Sequence, residues 1–488
     1  MSRYPGFIGP SNRSTSPIAD CERLINWYVE PADAGTGQPA LYPTPGQTPF
    51  VTVADVSTRA LFTMNGRTFT VVGTSLGEVF AGQTFTKYGT VAQDPNLAYV
   101  IVNGISGNQA GIGSGGNLYV LDLATNVLSA ALLPGEVTQI GFLDGYGLWF
   151  NKTAGKIRLS NLNDFSVNDP TQFALRSDAP DNWVAMCVNP PDIWLIGSQT
   201  GSIWYDAGAF PFPFAFRVGS TFKFGCAATF SIAAAGDSVL WLSKNAEGAG
   251  IVVRARGYVP QPVSTYALET AIAGYLRTSI ISDAEALVYQ QGGHTFYVLR
   301  FPSAGATWAY DLRTGLWHER DTLNALTGQP EAWHARVVTA AFGKHLVGYS
   351  ATGVIATLDP TVGTEVDGSA IRRLRIPPAL AAADGARLYV DRFELGIEPG
   401  LGTTSGQGSD PQVMERHSFD TKTWSNQRMR SAGRQGEYGK HVVWLKNGSS
   451  RTVWVPEITI TDPFPQRVVY AAIQARGLAS AGAPSQAA

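Results

Sequence analysis

Several features of secreted, membrane and metal-binding proteins are scarce in this chain of 488 residues. The three cysteines, Cys21, Cys187 and Cys226, lie far apart, so we expect buried thiols of a reducing compartment rather than a disulfide framework. No run approaches the roughly 18 apolar residues of a membrane-spanning helix. The first residues, MSRYPGFIGPSNRS, contain no apolar signal-peptide core. We therefore expect neither membrane insertion nor secretion.

Charged residues are also scarce, at 15% of the chain, compared with about 25% in typical soluble domains. The 36 basic and 38 acidic residues give a net charge of −2. Such a chain lacks the basic surface that clamps DNA through its phosphates, although a near-neutral tube could let DNA slide. With 18 Tyr and 12 Trp, the scarcity of charge favours a surface buried against other subunits. A monomer with an unusual surface is the alternative.

Helical periodicity is nearly absent from the sequence. The 53 Gly and 29 Pro separate short runs rich in Val, Ile, Tyr, Phe and Trp, which is typical of strands and turns. The best helix candidate is short, around Ser264–Tyr275, with a Ser/Thr start and an early Glu. The fold class is therefore predicted to be all-β.

Repetition is the more informative signal. Seven hairpin-like units, each with two apolar runs around a Gly-rich or polar turn, start near residues 68, 98, 147, 192, 238, 295 and 345. Most of these intervals are close to the ~40–50 residues of a four-stranded propeller blade. One hairpin cannot bury its apolar face, but stacked units share a core. We predict a β-propeller of six to eight blades, with seven favoured; a pair of β-sandwiches is the alternative.

Changes in pattern divide the chain into four parts. Residues 1–50 hold few strand signals and several prolines, so we expect an extended N-terminal arm across the propeller or a neighbouring subunit. The propeller should cover 51–367, and a smaller β-rich domain 368–476. The latter opens with a basic linker, IRRLRIPPAL, and contains five strand-like runs and a Gly/Ser-rich loop at 399–411. Residues 477–488 are a low-complexity tail.

Two glycine motifs could indicate chemistry. GTSLG at 73–77 matches the G-x-S-x-G nucleophile elbow, and GIGSGG at 111–116 matches the G-x-G-x-x-G of dinucleotide-binding folds. Both chemistries need a helix after the motif, whereas here strand-like runs follow. We interpret both as hairpin turns.

The remaining polar motifs do not indicate a catalytic or metal site. The six histidines show no metal-ligand spacing, so we predict no metal and no cofactor. SFDTKTW at 418–424 resembles the Asp-box of propeller glycosidases, which is a hairpin turn and not a catalytic element. A glycosidase also needs two carboxylates that flank the bond, and the sequence cannot place such a pair.

Many segments, in order, resemble the packaged-DNA stabilisation (tail accessory, or nozzle) proteins of short-tailed bacteriophages. They include ADCERLINWYVE, LYPTPG, FLDGYGLWFN, DIWLIGSQTGSIWYDAGAFPFPF, GIVVRARGYVPQPVSTYALETAI, TWAYDLRTGLWHER and GQGSDPQVMERHSFDTKTW. The resemblance covers roughly residues 3–475. Each segment is a weak motif, but their shared order is specific.

The resemblance implies a non-enzymatic virion protein. Proteins of this family combine a propeller with a β-rich domain and assemble as a hexamer below the portal–adaptor complex. There they extend the channel for double-stranded DNA, help to retain packaged DNA until ejection, and offer attachment sites to tail fibres, spikes or a plug. The location is the virion tail, after assembly in the host bacterial cytoplasm. A propeller glycosidase and a glycan- or receptor-binding tail module are the alternatives.

Contacts between subunits are predicted in two places. The residues are Trp27, Tyr28, Tyr42, Pro43 and Pro45 in the N-terminal arm, and Trp424, Arg428, Arg430, Arg434 and Tyr438 in the second domain. As the alternative, Trp27, Trp424 and Tyr438 could be core residues of their own domain. The arginines could equally form a solvated face or contact acidic loops of a partner.

Overall fold

The computed structural model describes residues 1–478 apart from 33–36, 55, 105–106, 245–247, 249, 325, 385 and 465. Within this part the chain is almost entirely β, which confirms the predicted fold class. One α-helix, Tyr266–Tyr275, begins after Thr265, whose hydroxyl accepts a hydrogen bond of 3.3 Å from the Leu268 amide. The predicted helix is thus confirmed. No helix in the described ranges is long and apolar enough to cross a membrane.

Seven antiparallel sheets, blades 1–7, follow one another along the described chain. From the inner to the outer strand, blade 1 contains Thr58–Met64, Arg67–Val72, Ser75–Phe80 and Thr84–Thr90; blade 2 Tyr99–Val102, Gln109–Ser114 and Asn117–Asp122; blade 3 Gln139–Leu143, Tyr146–Asn151, Lys156–Leu159 and Phe173–Leu175; blade 4 Trp183–Asn189, Asp192–Gly197, Gly201–Asp206 and Phe214–Phe216. Blade 5 contains Ala233–Ala235, Ser238–Lys244, Gly250–Arg256 and Val259–Pro262; blade 6 Glu285–Gln291, His294–Phe301, Ala306–Asp311 and Trp317–Leu323, which also pairs with Pro330–Ala332; blade 7 Ala335–Ala341, Lys344–Tyr349, Val354–Asp359 and Gly46–Thr52.

The outer strand of blade 7 comes from the N-terminal part of the chain and closes the ring. Gly46–Thr52 pairs antiparallel with Val354–Asp359, while the inner strands of neighbouring blades contact one another around the full circle. Gly46 is needed at the start of this strand, because a Cβ there would lie 2.3 Å from the carbonyl oxygen of Val362. Closure through a strand from the other end of the propeller sequence locks the first and last blades together.

Alternating side chains of one strand join blades on both sides. In Asp192–Gly197 of blade 4, Ile193 and Leu195 pack against blade 3, and Trp194 and Ile196 against blade 5. Successive side chains of a strand point to opposite faces, so a strand between two blades is apolar at nearly every position. This explains the uninterrupted apolar runs of the sequence.

Each predicted hairpin lies in its own blade. Six correspond to the second and third strands, whereas the unit near residue 98 starts at the inner strand of blade 2. The short first interval of the sequence pattern has this origin, because the second strand of blade 2 begins only at Gln109. The favoured number of seven blades agrees with the seven sheets.

A β-sandwich, the second unit of the chain, packs two sheets face to face. The first sheet contains Val442–Leu445, Leu388–Ile397, Val468–Arg476, Ala40–Pro43 and Trp27–Glu30 in this order, with Ser2–Arg3 and Ser449–Ser450 paired at its sides. The second contains Cys21–Ile25, Arg373–Ile376, Val453–Ile460, Gln412–Ser418 and Arg428–Ser431, with Asn12–Arg13 and Leu380–Ala381 at its sides. The five predicted strands of the second domain are all present. Trp27, Phe393, Trp444 and Trp454 fill the core between the sheets.

Residues 1–50 contain six short strands, where the sequence predicted few. Cys21–Ile25 pairs with Arg373–Ile376 and also, through Ile25 and Glu319, with the outer strand of blade 6. The blade 6 sheet therefore continues directly into the sandwich. The predicted arm is built into both units of its own chain, and its strands of two to seven residues are too short to show alternation.

The predicted basic linker is also a strand. Arg375 in Arg373–Ile376 is fully buried and pairs with Glu22 at 2.7 Å. Its guanidinium also donates hydrogen bonds to the carbonyl oxygens of Gly6, Phe7 and Pro10 at 2.7–2.8 Å. Burial lowers the pKa of Arg375, and the Glu22 carboxylate opposes this shift. Residues 6–10 surround the buried Arg375 guanidinium because their backbone carbonyls replace the water that would otherwise solvate it.

Candidate functional site

A network of buried charges lies at the start of the inner strands of blades 6 and 7. Glu285, on the inner strand of blade 6, accepts hydrogen bonds from Arg336 Nε at 2.9 Å and from Arg300 Nη1 at 3.1 Å. Arg336, on the inner strand of blade 7, also reaches Ser57 Oγ at 2.9 Å and the Pro95 carbonyl at 2.5 Å. All three charged side chains are buried. The network joins blades 6 and 7 to the segments on either side of blade 1, where the ring closes.

Arg59 repeats this arrangement between blades 1 and 2. Its buried guanidinium pairs with Asp94 and donates to the carbonyl oxygens of Ala92 at 3.0 Å and Asn96 at 2.9 Å, and to Ser114 Oγ at 2.9 Å. Burial lowers the pKa of Arg59, and the negative charge of Asp94 opposes this shift. An arginine suits this role because its five donors can bind several loops at once.

The space between the inner strands of the propeller is narrow. The inner strands of all seven blades contact their neighbours around the full circle. Beside the inner strands of blades 1, 2, 5, 6 and 7 lies a cavity of about 280 Å³.

A buried histidine joins the sandwich to blade 6. His294 Nδ1 lies 2.7 Å from Asp311 Oδ2, and its Nε2 lies 2.9 Å from Glu30 Oε2. Burial acts to lower the pKa of His294, but the two carboxylates outweigh it and raise the pKa. The protonated ring can donate to both carboxylates. Glu30 belongs to the first sandwich sheet, so this contact crosses between the two units.

Most of the predicted N-terminal contact residues are buried within the chain. Trp27 is fully buried in the sandwich core, where its Nε1 donates to the Gln466 carbonyl at 3.0 Å. Tyr28, Pro43 and Pro45 are also buried, and Tyr42 is half-buried against Tyr28. The prediction that Trp27 contacts a neighbouring subunit is corrected, because its indole has no accessible surface. Trp27 is a core residue of the sandwich, as the alternative interpretation held. Pro45 lines a cleft of about 480 Å³ between blades 6 and 7.

The predicted residues of the second domain divide into two groups. Trp424 is half-buried, with the Arg416 guanidinium 5.1 Å from its ring centre. Arg428 pairs with the buried Glu415 at 2.5 Å. Arg430, Arg434 and Tyr438 are exposed, with Tyr438 at 73%.

The exposed group lies where both sandwich sheets end. Arg428–Ser431 and Val442–Leu445 are edge strands of the two sheets, and the Arg430 Nε donates to the Val443 carbonyl at 3.2 Å across this edge. We call Met429, Arg430, Arg434, Tyr438, Lys440 and Leu445 the sandwich edge; all six side chains are exposed. The chain leaves aromatic, aliphatic and cationic groups together on this surface.

The motifs singled out in the sequence are turns. Gly73 of GTSLG has a φ of +56° and precedes the strand Ser75–Phe80, and Gly115 and Gly116 of GIGSGG form the turn before Asn117–Asp122. In SFDTKTW, Asp420 accepts hydrogen bonds from the amides of Lys422 and Thr423 at 2.8 and 2.7 Å. These bonds hold the pKa of Asp420 far below its usual range. Its carboxylate is therefore a structural group of the turn.

A recurrent aspartate was missed in the sequence. The third strands of blades 2, 4, 6 and 7 all end in aspartate: Asp122, Asp206, Asp311 and Asp359. Each carboxylate accepts a hydrogen bond of 2.8–3.0 Å from an amide two residues further on. The repeated sequences VLD, WYD, AYD and TLD were the available signal, and their physical basis is the Asx turn.

A closed seven-bladed ring that shares a sheet with a β-sandwich defines a two-unit β protein. The chain belongs to the family of bacteriophage P22 Gp10: residues 21–363 match the β-propeller domain of that family, and residues 375–476 match its β-sandwich domain. It is accordingly a phage structural protein of the DNA-stabilisation type.

Solved structures with a similar fold are remote in sequence. The N-terminal domain of Nup159 has 10% identity and a TM-score of 0.40, over 67% of this chain and 97% of that chain. BamB from Moraxella catarrhalis has 10% identity and a TM-score of 0.38, over 68% and 93%. The computationally designed Ika8 protein has 12% identity and a TM-score of 0.34, over 69% and 99%. No curated protein matches the chain in sequence.

Proposed function

We propose that the protein is a subunit of the tail tube, or nozzle, of a short-tailed phage. In this role it extends the DNA channel below the portal–adaptor complex, helps to retain packaged DNA and takes part in its ejection. Membership of the P22 Gp10 family over both units of the chain supports this proposal.

The narrow space between the inner strands is the structural observation that supports the proposal. Because the inner strands of the seven blades contact their neighbours around the full circle, a channel wide enough for a DNA duplex would be formed between copies. A ring of identical copies provides such a channel, and we propose a hexamer. The portal–adaptor protein would lie above it, and tail fibres, spikes or a plug would attach to it. In this ring the protein would be part of the virion tail, and the ring would be assembled in the host bacterial cytoplasm.

We propose no enzymatic activity for this chain. A glycosidase needs two available carboxylates, whereas Glu285 at the axis is bound by two arginines. The exposed residues Arg430, Arg434 and Tyr438 remain proposed contacts between subunits.

The test is assembly of the purified full chain on its adaptor ring. Its mass should rise to that of six copies on the ring, with a central opening about as wide as a DNA duplex, more than the 12 Å of its major groove. Phage particles that lack the protein should package DNA and then lose it. Full DNA retention in such particles, or a persistent monomer that hydrolyses oligosaccharides, would contradict the proposal.

A further inference from the structure

Charge is distributed unevenly between the two parts of the chain. Residues 368–476 contain 15 basic and 10 acidic residues, for a net charge of +5, whereas residues 1–367 contain 21 basic and 28 acidic residues, for a net charge of −7. The net charge of −2 for the whole chain conceals this separation. Opposite charge at different places on one subunit favours contacts between unlike surfaces of neighbouring copies.

The positive charges of the sandwich edge have no ion-pair partner in the part of the chain that the structure describes. Arg430, Arg434 and Lys440 form no ion pair with any described residue. Met429 and Leu445 beside them are 55% and 58% exposed. Arginine and aromatic residues are enriched in protein interfaces, and Lys is not, so the Arg and Tyr side chains are the expected anchors.

Unpartnered negative charge occurs at the turns of blades 3 and 4. Asp144, Asp164, Asp169 and Asp206 form no ion pair with a described residue, and all lie at turns between the first and second or the third and fourth strands. In an antiparallel blade these turns point to the same face of the ring. Hydrogen bonds from Ser166 and Thr171 lower the pKa of Asp164 and Asp169, which keeps both carboxylates charged at neutral pH.

Large apolar side chains lie in the same turns. Phe210 is 95% exposed, Leu162 58% and Val167 45%. We call these three residues with the four aspartates the acidic rim. Like the sandwich edge, it combines exposed apolar groups with charge. The acidic rim is negative, whereas the sandwich edge is positive overall, although the exposed Glu437 lies beside it and accepts a hydrogen bond of 2.9 Å from the Arg434 amide.

The two surfaces belong to different units of the chain. The sandwich is joined to blade 6 through Cys21–Ile25, whereas blades 4 and 3 are two and three blades away from blade 6 around the ring. No ion pair between described residues joins the two surfaces, so each is available to another copy.

We propose that the sandwich edge of one copy binds the acidic rim of the next copy, head to tail. This inference rests on the proposed function, since it names the surfaces through which the tail ring would form. Contacts between two different surfaces produce closed rings when the rotation between copies closes. Tyr438 and Phe210 would lie at the centre of the contact, with Arg430 and Arg434 opposite Asp164 and Asp169.

Cross-linking of single-cysteine variants tests the pairing. Phe210→Cys and Tyr438→Cys chains, mixed in equal amounts with a short bis-maleimide, should form a covalent dimer that neither variant forms alone. Leu326→Cys is the matched control, because Leu326 is 96% exposed but lies on the opposite face; mixed with Tyr438→Cys it should yield at least tenfold less dimer. Strong cross-linking of either variant with itself, or equal yields with Leu326→Cys, would overturn the proposal.

A charge exchange provides the second test, measured as association of the full chain with and without the adaptor ring. Arg430→Glu/Arg434→Glu and Asp164→Lys/Asp169→Lys should each weaken association at least tenfold, and the chain that carries all four changes should recover it. Asp367→Lys changes an exposed aspartate beside blade 7, three blades away from blades 3 and 4, and should have no effect. If the sandwich-edge variant loses only binding to DNA, a DNA contact replaces the proposed one.

The two proposals can fail separately. Unchanged rings on the adaptor in every charge variant would sink the head-to-tail pairing and leave the tube function intact. Copies that cross-link through these two surfaces but never join the adaptor ring would support the head-to-tail pairing and contradict the tube function.

Discussion

Buried arginines hold the loops of this protein in place. Arg59, Arg336 and Arg375 are almost inaccessible to water, and each donates to backbone carbonyls as well as to a carboxylate. Burial of a charge is unfavourable unless nearly every donor has a partner. A substitution that removes one member of such a group should therefore affect the surrounding segments together.

We expect Arg336→Met to destabilise the ring where it closes. Removal of one partner from a buried ion pair costs about 3–5 kcal/mol because the other charge remains buried. Here the loss leaves Glu285 with Arg300 alone. Chemical unfolding followed by tryptophan fluorescence measures the change. Lys87→Met, an exposed site in blade 1, is the control, and equal stability of both variants would contradict the expectation.

His294 should make stability depend on pH. The pKa of His294 in the folded state lies above its usual value of 6.5, so its stabilising contribution is complete below about pH 6.5 and is lost as the pH rises through the raised folded value. The free-energy difference between the wild type and His294→Gln should thus be larger at pH 5.5 than at pH 9. Urea unfolding of both proteins at the two pH values measures it. A pH-independent difference would mean that the ring is neutral in the fold.

Short N-terminal strands that pair with distant parts of the chain connect the propeller to the sandwich. Cys21–Ile25 lies between Arg373–Ile376 and the outer strand of blade 6, and Gly46–Thr52 completes blade 7. Both come from the N-terminal 52 residues. The N-terminal strands therefore stabilise the junction of propeller and sandwich and the closure of the ring.

Arg375→Met should release the N-terminal segment from the sandwich. The carbonyl oxygens of Gly6, Phe7 and Pro10 would lose their hydrogen-bond donor. A decrease of about 3 kcal/mol in the local free energy of opening corresponds to roughly 100-fold faster amide exchange. Hydrogen exchange of residues 4–13 measures this effect. Arg387→Met, which removes an exposed arginine, should leave exchange in this segment unchanged; similar rates in both variants would count against the role of Arg375.

Charge is distributed asymmetrically over the whole molecule. Its two units share a sheet, and residues 368–476 are basic whereas residues 1–367 are acidic. Such asymmetry suits the proposed head-to-tail contact.

Self-association should weaken with salt. Screening reduces the reach of exposed charges from about 10 Å at 0.1 M to about 3 Å at 1 M ionic strength, so sedimentation should show smaller species at the higher salt. The variant Arg430→Glu/Arg434→Glu should lose most of this dependence, whereas Asp367→Lys should retain it. Association that strengthens with salt would instead indicate a purely apolar contact.

Local pattern alone was sufficient for much of the architecture. The apolar runs around glycine turns predicted the all-β class, the helix after Thr265 and seven blades as the favoured number, because each blade contributes a central hairpin whose strands are buried on both sides. Pairings between residues hundreds of positions apart were decided by the tertiary structure. Strands such as Cys21–Ile25 are too short for a visible period, and the burial of Trp27 and Arg375 depends on segments from the other end of the chain. A side chain's surroundings, and hence its role as core or contact, exist only once those distant segments have packed together.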